Sequence, residues 1–251
     1  MLATGAGAGA VGWPVRDAFE AGGRPRPGVP GTTAVRVSRR RRDPAKRDAI
    51  FYAAIELFAA RGFVGASMRD IATRAGVGLG TIYDYFPGKE AILLHFLREV
   101  LEYLCWTLDE ARPAAADPVV SLRRALRMQV DYLGENPDVA RIACEAARLG
   151  ADGLAPLADL RARYRELLGA VVREGQEAGR LHPATPGAVA SDVIIGAVVA
   201  SLVGWLGRGA PGSAVAALEP AIDLVLGGLG ARGAARAIIP PAAGEASGGG
   251  E

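Results

Sequence analysis

Between Ile50 and Phe58 the apolar side chains fall at Ile50, Ala53, Ala54, Leu57 and Phe58, the spacing of one helix face. Asp43-Pro44 predicts where this helix starts, because the carboxylate accepts from free amides and proline suits a first turn. Gly62 predicts its end. A second, short helix is expected from Ser67, with Asp70 three residues on completing a capping box and Ile71, Ala72 and Ala75 facing inward. Gly76 supplies a turn residue that tolerates positive φ. A third helix follows over about 78–86, with Ile82 and Phe86 on one face, until Pro87-Gly88 breaks it. From Lys89 to about Ala111 a longer amphipathic helix carries Ile92, Leu93, Phe96, Val100, Tyr103 and Leu104.

Every later segment also has helical spacing. Helices are expected over 118–134, 138–149, 155–179, 186–207 and 213–230, separated by signals at Pro113, Pro137, Gly153, Pro183 and Gly209. The fold class is therefore all-α, an N-terminal three-helix head followed by a larger helical body. Residues 1–42 and 233–251 are rich in Gly, Ala and Pro without an apolar period, and are expected to be a disordered arm and tail. Aromatic residues make up only 6% of the chain, which suits helices that cross on small residues better than strands.

Charge divides the chain unevenly. The net formal charge is +2, but Arg36–Lys89 carries +6 and Glu90–Glu251 carries −5. A basic head on an acidic body suggests a polyanion-binding module joined to one that does not bind polyanions. The run Arg39-Arg40-Arg41-Arg42 closes the arm and is a candidate nucleic-acid contact. Two helices joined by Ala75-Gly76-Val77-Gly78 have the length and spacing of a helix-turn-helix over 67–86, whose second helix fits a major groove. With Val77, Ile82 and Phe86 turned inward, Leu79, Gly80, Thr81, Asp84 and Tyr85 remain for the outer face.

Ser67–Ala72 and Ala75–Glu90, together with Asp43–Ile50, Leu57-Phe58 and Gly62-Phe63, closely resemble the signature of tetracycline-repressor-type (TetR family) regulators. The resemblance is specific over 44–104 and only architectural beyond. It implies a ligand-responsive regulator, a repressor released from palindromic operator DNA by a small molecule. It implies a DNA-binding domain over 44–104, with its linking helix from Lys89, and a ligand-binding and dimerisation domain over 105–232. Thr81, Tyr83, Tyr85 and Lys89 stand where such regulators touch phosphates, and Ser67 stands where the second helix points its amides at the backbone.

The physics of the residues adds to this. A cation in the first turn of its own helix is disfavoured by the dipole, so a phosphate partner would explain Lys89. Leu79 takes a position that is often polar and can touch a thymine methyl. Asp84 either accepts from cytosine N4 or turns aside to a neighbouring arginine. Gly88 replaces a usual serine and remains an acceptable cap.

For the body the pattern is less informative. Ala197, Ser201 and Gly204 line one side of 188–206, and Ala217, Ala221, Leu224 and Leu229 mark the final segment as its partner in a homodimer interface. Tyr103, Trp106, Met128, Tyr132, Tyr164 and Trp205 are candidates to line a pocket for an apolar or aromatic inducer, although cores use the same residue types.

Cys105 and Cys144 lack ligand spacing, and His95 and His182 are isolated, so neither metal nor cofactor is expected. No nucleophile–base pair or phosphate loop stands out, which argues against an enzyme. An architectural DNA binder without an inducer is the other class compatible with the head. The first thirty residues lack the pattern of a secretory leader, and the apolar run Val193–Leu206 falls short of the roughly 20 residues of a membrane span, so a soluble, cytoplasmic protein is expected.

Overall fold

The computed structural model describes residues 43–112, 117–146 and 150–230. The basic arm with Arg39, Arg40, Arg41 and Arg42, and the tail from 233, lie outside the described residues. Among the described residues there are ten α-helices and no strand. They are α1 (Pro44–Gly65), α2 (Met68–Arg74), α3 (Leu79–Tyr85), α4 (Lys89–Ala111) and α5 (Pro118–Glu135). These are followed by α6 (Pro137–Ala146), the single turn α7 (Gly150–Gly153), α8 (Ala158–Glu177), α9 (Gly187–Gly207) and α10 (Ala214–Leu229). A 3₁₀ turn over Ala155–Leu157 leads into α8. The all-α expectation holds, and the short turn α7 is an addition to it.

By spatial contact the chain forms two compact units. Among the described residues, one comprises 43–106 with 133–146 and 150–162; the other comprises 107–112, 117–132 and 163–230. In the first unit α1 packs on both α2 and α6, and α2 packs on α3. Ile50, Phe58, Ile71, Ile82, Ile92, Leu93 and Phe96 are fully buried there. Their positions are those the period of 3.6 selects, so burial of one face per helix holds the unit together. Helix α1 begins as expected, with Asp43 accepting from the Ala45 amide. Gly62 interrupts it with φ 72° and ψ 162°, a backbone that only glycine adopts easily, and a further helical turn beyond this kink reaches Gly65.

In the second unit α9 and α10 pack along each other, with Ile194, Leu202, Trp205, Leu218, Ile222 and Leu226 buried. Within this unit the closest helix approach is that of α9 to α8. A Cβ on Gly187 of α9 would stand 3.3 Å from the Gly169 carbonyl of α8, and Ser191 Oγ donates to the Arg165 and Gly187 carbonyls at 3.0 and 2.9 Å. The crossing therefore uses Gly169, Gly187 and Ser191. Ala197, Ser201 and Gly204 sit half-buried on the flank of α9, while Val189, Val193, Val199 and Val203 leave an exposed apolar stripe beside them. On α10, Ala217 and Leu224 point outward, whereas Leu229 belongs to the core.

Helix α9 has 21 residues, with a mean hydropathy of 2.0 over its most apolar window. By length and composition it is long enough to cross a membrane, which corrects the shorter run read from the sequence. Asp192, paired with Arg165, lies within it.

Candidate nucleic-acid interface

Ser67 and Asp70 form the reciprocal capping box expected for α2. The Asp70 amide donates to Ser67 Oγ at 3.2 Å, and the Ser67 amide donates to Asp70 Oδ2 at 3.2 Å. The Ser67 hydroxyl also donates to Asp70 at 2.5 Å. This last bond, aided by the Ser67 amide and the nearby Arg61 and Arg69, holds the Asp70 carboxyl below its ordinary value against an opposing desolvation second only to the bond itself. The capping box thus consumes Ser67's own donors.

Gly76, at φ 67°, turns the chain, and the Val77 amide closes the turn on the Ala72 carbonyl at 3.0 Å. Ile82 and Phe86 then pin α3 inward. Leu79, Gly80, Tyr83 and Asp84 are exposed; Thr81 and Tyr85 are half-buried. Nothing lies within 4 Å of a Cβ built on Gly80, so this face of α3 is open. Asp84 pairs with no arginine among the described residues.

Two residues expected to touch phosphate have partners within the protein. The Tyr85 hydroxyl accepts from the Asp43 amide at 3.1 Å, tying the end of α3 to the start of α1, and keeps its own proton to donate. Lys89 Nζ donates to the carbonyls of Phe63, Val64 and Ala66 at 2.9, 3.3 and 3.1 Å and lies 4.6 Å from the centre of the Phe63 ring. The unfavourable placement of this cation at the head of α4 is thereby offset by carbonyls at the end of α1. Charge spacing within α4 cannot reveal such a partner, because it lies 23 to 26 residues back in the chain.

The candidate inducer residues are divided between the two units. Tyr103 and Trp106 stack on each other in the first unit, with ring centres 5.6 Å apart. In the second unit, Tyr132 is buried, and Trp205 is fixed in packing with its indole donating to the Pro211 carbonyl at 3.1 Å. Tyr164 donates to Gln129 at 2.7 Å, and Gln129 donates to Thr107 at 2.8 Å, a buried polar chain that sequence reading missed. An isolated glutamine among apolar neighbours was its only signal. Met128 lines an open cleft of about 530 Å³ with Val120, Arg123, Arg124 and Arg127. Arg123 is bound to Asp223 and Glu219, and Arg127 to Glu219. The bond to Asp223 leads the causes that raise Arg123 above its ordinary value.

A capped helix, a glycine turn and a second short helix with an open polar–apolar face define a helix-turn-helix DNA-binding protein. Residues 50–96 match the model of bacterial regulatory proteins of the tetR family, and residues 115–229 match that of the tetracyclin repressor-like C-terminal domain. The transcriptional regulator RutR of Escherichia coli is 31% identical over 144 residues, which are 57% of this chain and 67% of RutR. The fatty acid degradation regulator FadR of Bacillus halodurans has the same fold at TM-score 0.65 and 26% identity, over 77% of this chain and all of FadR. The structure of FadR from Bacillus subtilis in complex with stearoyl-CoA gives 0.66 at 22% identity, over 71% and 97% of the two chains, a likeness of fold alone. The chain belongs to the TetR family. It is a DNA-binding transcriptional regulator that acts as a dimer and answers to a small molecule.

Proposed function

We propose that this regulator is a repressor that binds a two-fold operator through α3, with Leu79 and Asp84 toward the bases and Thr81, Tyr83 and Tyr85 toward the phosphates. The Arg39–Arg42 run adds contacts at the minor groove, whose negative potential attracts arginine. The open face of α3, inside the segment that matches the tetR family, carries this reading. Leu79 offers a surface for a thymine methyl, and the Asp84 carboxylate an acceptor for cytosine N4. The apolar stripe of α9 with Leu224 of α10 is the face that pairs two protomers, which supports a soluble protein working inside the cell.

The inducer in this reading is a small molecule with a large apolar part, and a long-chain acyl thioester of coenzyme A, an apolar chain on an anionic head, is the first to test. Its support is the cleft where Arg124 stands beside Val120 and Met128, a cation next to apolar surface, with Arg123 and Arg127 paired to Glu219 and with Asp131 on the same lining. A regulator of the same fold was crystallised with stearoyl-CoA.

The experiment is selection of a duplex from a random-sequence pool, followed by a gel-shift titration with stearoyl-CoA and free stearate. Enrichment of an inverted repeat, released by the thioester, is the expected result. Failure to enrich any symmetric site overturns the DNA reading, and an unaffected shift removes acyl thioesters as the ligand.

A further inference from the structure

The last turn of α1 after Gly62, with Ala66 beyond it, is the connector that leads into the helix-turn-helix, and side chains from two distant helices grip it. The last carbonyls of a helix have no partners within it, and α1 carries no basic residue in its last turn to satisfy them. Lys89 of α4 does so from outside. Its ammonium has three protons, and it meets three acceptors, the carbonyls of Phe63, Val64 and Ala66. Its position over the Phe63 ring adds a cation–π contact.

The opposite edge of the same segment meets α6. Glu145 accepts from the Phe63 amide at 3.4 Å, and its carboxylate oxygens lie 3.6 and 3.7 Å from where a Cβ on Gly62 would stand. Apolar packing contributes little to this segment at Val64, whose side chain is 90% exposed. Phe63 packs edge-on against Phe58 and Ala66 is buried, and polar grips on either side add to these contacts. The last carbonyl that Lys89 holds, that of Ala66, immediately precedes the Ser67 cap of α2.

We infer that Lys89 and Glu145 form a two-sided clamp on the Phe63–Ala66 connector, and that the clamp sets the position in which α2 and α3 are presented to DNA. Lys89 is then a positioning residue whose charge is spent on backbone carbonyls, and Glu145, outside the segment that matches the tetR model, is a determinant of DNA affinity. The inference rests on the DNA-binding reading and replaces the phosphate role expected for Lys89.

The test uses the full chain and the duplex selected above, so that failure to select any duplex stands apart from failure of the clamp. Affinity is measured by fluorescence anisotropy across a salt series for Lys89→Met, Glu145→Ala, the double variant and Lys89→Arg. Each lost phosphate contact makes the plot of log affinity against log salt shallower by about 0.9. The clamp predicts about tenfold weaker binding for Lys89→Met and for Glu145→Ala, each with the wild-type salt slope. The double variant loses less than the product of the two, because both act on one segment. Lys89→Arg, which keeps charge and donors, recovers part of the affinity. In the DNA-free protein, amide exchange over 63–67 quickens in both single variants while exchange in the α4 core is unchanged, which separates a loosened connector from an unfolded head. A slope shallower by about 0.9 for Lys89→Met makes the lysine a phosphate contact and overturns the inference. So does undiminished affinity for Glu145→Ala.

Discussion

Single side chains in this protein do more than one task, and Asp70 shows how that was and was not legible. The spacing from Ser67 to Asp70 announces a capping box, and the box is there. Its consequence for acid stability needs the geometry. The Asp70 carboxyl is held below its ordinary value of 3.8, so its contribution is complete above that value and is lost as the pH falls through the lower native one. Asp70→Asn should therefore lower the thermal midpoint at pH 7, with the gap to wild type closing below about pH 4 in a calorimetric series. Tyr85 is a second case. Its hydroxyl accepts from Asp43 and still has a proton for phosphate, so Tyr85→Phe should weaken DNA binding by about 1 kcal/mol, roughly fivefold in anisotropy. Unchanged binding would show that the ring only packs. Lys89 was recognisable as an anomaly from its place in α4, but its partners come from a turn that no local pattern connects to it.

For whole helices, the hydrophobic period located nearly every one, since burial of one face is a strong and local signal. The residues at the helix crossings were less legible. Small residues recur throughout this Gly- and Ala-rich chain, and only tertiary contact decides which of them another backbone approaches. Gly187 and Gly169 prove to be such positions, whereas Gly204 meets only the end of the Arg208 side chain. Gly187→Val would push branched carbon atoms into the Gly169 carbonyl and should destabilise the second unit by about 1–3 kcal/mol. Urea unfolding followed by circular dichroism measures this. Gly204→Val, next to a flexible arginine, serves as the control and should cost less. Equal losses would show that helix propensity alone accounts for both.

At the scale of the whole molecule, dimerisation assigns a role to the one long apolar helix. Its valines Val189, Val193, Val199 and Val203 are exposed, and an apolar surface of this kind marks an interface. Val193→Asp should weaken the dimer at least tenfold in sedimentation and lower affinity for a two-fold duplex in parallel. A variant that stays dimeric and binds normally would move the interface elsewhere.

The composition of α3 has a consequence for how such a dimer finds its target. Its seven residues include no Arg, Lys, Asn or Gln, the side chains that grip a guanine or adenine edge with two hydrogen bonds, and Gly80 presents no side chain at all. Each such grip is worth about 1–3 kcal/mol of discrimination, so a half-site read by this helix is only loosely spelled. Against roughly a million or more competing sites in a genome, one loosely spelled half-site carries too little information to be found. Symmetry supplies the remainder by requiring the same short word twice at a set distance. The regulator should therefore tolerate variation in each letter of its operator while rejecting any change in the spacing between the two words.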